Sequence, residues 1–134
     1  MVMINISKIF ILLIIFLCSY TLNVHASQYN CSVQNVVNTD LPTDKKYIAD
    51  NFKKKFLISI EKKQIFVTSI SKEFKNSQVI YNIINKNSLG IFSISESPIG
   101  FRTLIFSVKI NEGNIVMQTS VGTTSWQLQC KNEY

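Results

Sequence analysis

The stretch from Phe101 to Cys130, reading FRTLIFSVKINEGNIVMQTSVGTTSWQLQC, admits few folds, because apolar and polar residues alternate through it with turn-forming residues between the runs. Leu104, Phe106, Val108 and Ile110 alternate with Thr103, Ile105, Ser107 and Lys109, the period of a half-buried strand. Beyond Asn111-Glu112-Gly113-Asn114, read as a turn, the apolar series moves to Ile115, Met117, Thr119 and Val121. An even-numbered loop produces that change of parity, and the implied register sets Ile110 opposite Ile115 and Leu104 opposite Val121. A second turn over Gly122-Thr123-Thr124-Ser125 sets Val121 opposite Trp126 and Met117 opposite Cys130, so Cys130 points into the core.

The same alternation recurs upstream. Tyr29, Cys31 and Val33 share one face of a first strand. Phe56, Ile58 and Ile60 lead through Glu61-Lys62-Lys63-Gln64 to Ile65 and Val67, and Val79 to Ile84 and Leu89 to Ile94 flank Asn85-Lys86-Asn87-Ser88. Between the first two strands Leu41-Pro42 stops the pattern, and Thr43 or Asp44 is placed to cap a short helix with Tyr47, Ile48 and Phe52 on one side. A long ordered loop is the competing expectation there. The spacing predicts an all-β fold: a single small antiparallel eight-stranded up-and-down barrel or closed sandwich, with a short helix before the second strand.

Residues 1–26 carry Lys8, an apolar run from Ile9 to Leu17 and small residues at Val24 and Ala26, the pattern of a signal peptide cleaved near Ala26. The apolar run to Leu22 is shorter than the about 20 residues that span a bilayer. Residues 27–134 then form a single β domain, secreted or periplasmic, in which Cys31 and Cys130 are expected to pair as a disulfide. Closing a loop of about 100 residues is worth about 4.7 kcal/mol in the chain-entropy model.

Cleavage also removes His25, the chain's only histidine. Serine–histidine and cysteine–histidine nucleophiles are thereby excluded, and so is the commonest zinc ligand. The four glycines, Gly90, Gly100, Gly113 and Gly122, lie in or beside turns and build no phosphate loop. The acidic residues sit mostly in turns beside lysine or asparagine, where solvation is the expected role. No enzyme activity, cofactor or metal is expected.

The chain carries a formal net charge of +6, of which cleavage removes only Lys8. Lys45, Lys46, Lys53, Lys54, Lys55, Lys62 and Lys63 crowd one segment together with Tyr47, Phe52 and Phe56. Cations interleaved with rings can hold an anionic polymer. The competing role for these lysines is solubility and protection of strand edges. Arg102, just past Gly100, is placed either on the surface or at a barrel mouth, where it can hold an acidic group.

These features describe a small exported, non-enzymatic binding or inhibitor module acting through its surface on an unidentified protein or an anionic envelope component. One alternative is a lipocalin-like carrier of a small apolar ligand, although Phe56, Phe92, Phe106, Met117 and Trp126 are expected to fill its interior. The other is a binder of anionic envelope polymer or lipid through the Lys45 to Lys63 region. Otherwise the membrane is met only through the uncleaved signal peptide, and nucleic acid is not an expected partner. Tyr29-Asn30-Cys31, the β meander and Cys130 resemble small periplasmic lysozyme-inhibitor barrels in spacing and cysteine placement. No binding-loop motif of that family is matched, and a basic domain would repel a basic lysozyme, so no residues are carried over.

Overall fold

The computed structural model describes residues 26–40 and 44–133. The segment expected to be a signal peptide, apart from Ala26, lies outside the described residues, as do Leu41, Pro42 and Thr43. The order of elements is β1 (Ser27–Asn38), α1 (Lys45–Phe52), β2 (Lys55–Ile60), β3 (Gln64–Ile70), β4 (Ser77–Lys86), β5 (Ile91–Ser97), β6 (Gly100–Ser107), β7 (Glu112–Thr119) and β8 (Thr123–Glu133). Each strand pairs antiparallel with its sequence neighbour, and β1 pairs with both β2 and β8, so the sheet closes as an eight-stranded barrel. Closure leaves no free sheet edge among the described residues.

Cys31 stands directly across from Cys130 in the β1–β8 ladder, with a Cα–Cα distance of 3.9 Å, and the two form the expected disulfide. A bulge between Val33 and Asn35 reverses the parity of β1 and carries Val36 and Asn38 inward. The β2–β3 hairpin follows the sequence pattern: Ile60 faces Ile65, and the Glu61 amide donates to the Gln64 carbonyl across Lys62 and Lys63.

The C-terminal meander keeps its faces and changes its register. Leu104 pairs with Ile115 rather than with Val121, and Ile115 pairs in turn with Trp126. The first turn lies at Val108 to Asn111, four residues between the Ser107–Glu112 pair, with Asn111 in the left-handed region at φ 54°. Asparagine tolerates that conformation better than most residues. Gly113, expected in a turn, is instead a buried strand position opposite Phe106. A Cβ there would sit 3.2 Å from the Phe106 ring, so glycine makes room for the larger side chain. The second turn falls at Ser120 and Val121, where the Thr119 hydroxyl accepts the Gly122 amide. Val121 is therefore 80% exposed rather than core. Both displacements are even, which is why the buried face survives them.

The third hairpin turns two residues later than expected, because the Asn87 side chain accepts from the Leu89 and Gly90 amides. Phe92, between the inward-facing Ile91 and Ser93, points outward, and its place in the predicted interior is corrected. The middle of the barrel is filled by side chains such as Ile58, Ile65, Leu104 and Phe106, each at most 1% exposed. Gly100, at φ 150°, begins β6 where its backbone presses on Gln118: an added Cβ would lie 2.0 Å from that carbonyl oxygen.

Asp44 caps α1 by accepting the Tyr47 amide. The helix packs against β1, but its fully buried side chain is Asn51, while Phe52 is exposed. The reason is a polar contact: the Trp126 indole N–H donates to Asn51 Oδ1 at 3.0 Å, and the Asn51 amide donates to the Tyr47 carbonyl. A short helix is thus pinned across one end of the barrel.

Candidate functional site

The strands fix two ends. At one lie α1, the 71–76 connection, Pro98-Ile99 and Ser120-Val121; at the other lie the β2–β3, β4–β5 and β6–β7 turns. Lys45, Lys46, Lys53, Lys54 and Lys55 belong to the helix end, whereas Lys62 and Lys63 occupy a turn at the opposite end. The six residues of β2 separate the groups by roughly 20 Å of extended chain, so they form no single patch.

Three consecutive lysines then meet three different fates. Lys53 pairs with Asp50 at 3.2 Å and with Glu73 at 3.1 Å, and Lys55 is exposed on β2. Lys54 turns inward: its Nζ lies 4.0 Å from the centroid of the Phe74 ring and 5.1 Å from that of Trp126. Arg102 is half-buried on the inward face of β6, in register with Ser95 and Met117.

Lys54 and Arg102 line one cavity of about 190 Å³. Its apolar walls include Phe56, Tyr81, Ile115 and Trp126; Tyr47 and Phe74 cover it, and Ser69 and Ser77, with hydroxyls 3.0 Å apart, stand at its rim. Phe56 and Trp126 meet edge to face at 6.2 Å, as do Tyr47 and Phe74. Burial lowers Lys54 to about 8 and raises Tyr81 to about 12, the charge of Arg102 opposing the latter shift. Among the described residues neither Lys54 nor Arg102 makes an ion pair.

The carboxylates at this end are already engaged. Asp50 is held below its ordinary value by hydrogen bonds from Lys46 and then Lys53, and Glu73 by the bond from Lys53. Neither lines the cavity: Asp50 and Glu73 both turn to lysines of the helix and its C-terminal end.

The sequence held a signal for this site. Lys54 has the parity of Phe56, Ile58 and Ile60, and Arg102 that of Leu104 and Phe106, so each is a cation continuing the buried series past the last apolar residue. Grouping lysines by nearness in sequence hid it. Compared with protein-family models, curated proteins and solved structures, the chain matches none.

Proposed function

We propose that this protein is a small exported, non-catalytic binding module whose helix-covered barrel mouth captures an anionic group on its partner or ligand. The observation that carries this reading is the pair of inward cations without a carboxylate, Lys54 and Arg102, in one ring-lined cavity. Taking charge out of water is costly unless it is paired, so an anion entering this mouth recovers a cost the empty fold already bears. The shifted carboxylates favour binding over general acid catalysis: Asp50 and Glu73 are lowered, whereas a general acid at neutral pH needs a raised value. The filled barrel centre argues against a deep lipocalin-like calyx and supports a ligand held at the mouth.

Thermal unfolding in the presence of a panel of carboxylates, phosphates and sulfates tests this. Stabilisation of the wild-type domain by at least one of them, lost in Arg102→Gln and kept in Lys62→Gln/Lys63→Gln, is expected. Equal stabilisation of wild type and Arg102→Gln by every anion would refute the site.

A further inference from the structure

Resting on the anion-binding reading, we infer that the ligand class of the mouth is a monocyclic aromatic carboxylate, its ring among Trp126, Phe56 and Phe74 and its carboxylate on Arg102.

Size sets the first bound. An apolar cavity of about 150 Å³ accepts benzene, whereas pockets for drug-sized ligands begin at about 300 Å³. At about 190 Å³ the mouth holds one six-membered ring and a small head group, and it is too small for a nucleotide or a long acyl chain.

Chemistry sets the second. A hydrated anion such as inorganic phosphate has no use for the apolar part of the lining, which Phe56, Val67, Val79, Ile115, Met117 and Trp126 supply. A planar ring meets that lining in the edge-to-face arrangements its own aromatics already use. The two cations in the lining, Lys54 and Arg102, then call for negative charge on the ligand. The planar guanidinium of Arg102 matches a carboxylate through two parallel N–H donors. Lys54, held over Phe74 and Trp126, adds a second positive charge against the ring faces. The Ser69 and Ser77 hydroxyls at the rim offer hydrogen bonds to a polar ring substituent.

Trp126 is the only tryptophan and lines the cavity, so its fluorescence reports occupancy directly. The purified domain is titrated at pH 7 with sodium benzoate, cyclohexanecarboxylate, benzyl alcohol and inorganic phosphate. Benzoate is expected to saturate the signal and to bind at least tenfold more tightly than benzyl alcohol or phosphate, and about threefold more tightly than cyclohexanecarboxylate. Arg102→Gln is expected to weaken benzoate at least tenfold, with Arg102→Lys recovering part of the loss; should Arg102→Gln not fold, Lys54→Met serves as the second variant. If phosphate or cyclohexanecarboxylate binds as tightly as benzoate and still depends on Arg102, the aromatic class is wrong while the anion site stands. If benzyl alcohol equals benzoate, or no anion responds, both readings fall.

Discussion

At the turn-closed end of the barrel, Lys86 and Lys109 border a cavity of about 240 Å³ and remain exposed, free to hydrate. At the helix end, Lys54 and Arg102 border a cavity of about 190 Å³ and are half-buried on the inward face. The two ends have concavities of similar size and two cations each, yet only one has turned its charges away from water. The difference lies in what covers the strands. Tight turns such as Glu61 to Gln64 and Asn87 to Gly90 satisfy their own amides and leave side chains in solvent. A helix pinned through Asn51 and Trp126 roofs the other end and encloses whatever points up from the core faces. Concavity alone therefore does not separate the two ends; the direction of the cations does.

The comparison can be broken or sharpened by substitution. The largest effect belongs to neither end. Reducing Cys31–Cys130, or replacing both with serine, releases a closed loop with a sequence separation of 99 and should cost about 4 kcal/mol in urea unfolding. Because β1 and β8 form the closing seam, amide exchange should then rise at both ends together.

Next in size, Asn51→Ala strands the buried Trp126 indole N–H and should cost about 1–3 kcal/mol. Asn87→Ala, which removes an exposed turn acceptor at the opposite end, should cost under about 1 kcal/mol. Equal costs, measured by urea unfolding, would show that the helix is not pinned as described.

Acid should loosen the helix end first. The folded value of Asp50 lies below its ordinary 3.8, so the stability it contributes is present above that value and is lost as pH falls through the lowered one. Asp50→Asn should flatten this part of the acid dependence, read as amide exchange in α1.

The smallest effect has the opposite sign. Lys54 is lowered from 10.5 to about 8, so between those values the unfolded chain binds the extra proton and ligand-free stability rises with pH. Lys54→Met should remove that slope and slightly raise Tm at pH 7, the ring contacts with the ammonium offsetting part of the gain. Lys86→Met and Lys109→Met, at exposed positions, should leave Tm at pH 7 unchanged. Anion affinity, in contrast, should decline as pH rises past about 8, where Lys54 loses its charge.

Much of the scaffold was legible because alternation fixes which face is buried. The pairing of Cys31 with Cys130, the Lys62-Lys63 turn and the Asp44 cap all follow from local pattern. Parity does not fix offset, and so Ile110 and Val121 were expected in the core although both lie at turns. What decided the offset was not periodic: the left-handed Asn111, and the room that Gly113 leaves beside Phe106. Asn51 was illegible for a related reason, since a polar residue on a helix's buried face is explained only by the distant indole it accepts from. Lys54 and Arg102 were legible in principle, by their parity with Phe56 and Leu104.

The chain's single tryptophan and its single arginine, Trp126 and Arg102, both line the helix-end cavity, so each contributes one isolated side-chain N–H resonance that watches the site. Titrating the labelled domain with sodium benzoate should move the Arg102 Nε–H and the Trp126 indole signals together, along one saturable curve. Saturable shifts confined to the Lys86 and Lys109 end, or no saturable shift at Arg102 with any carboxylate, would contradict the assignment of the inward cations to ligand binding.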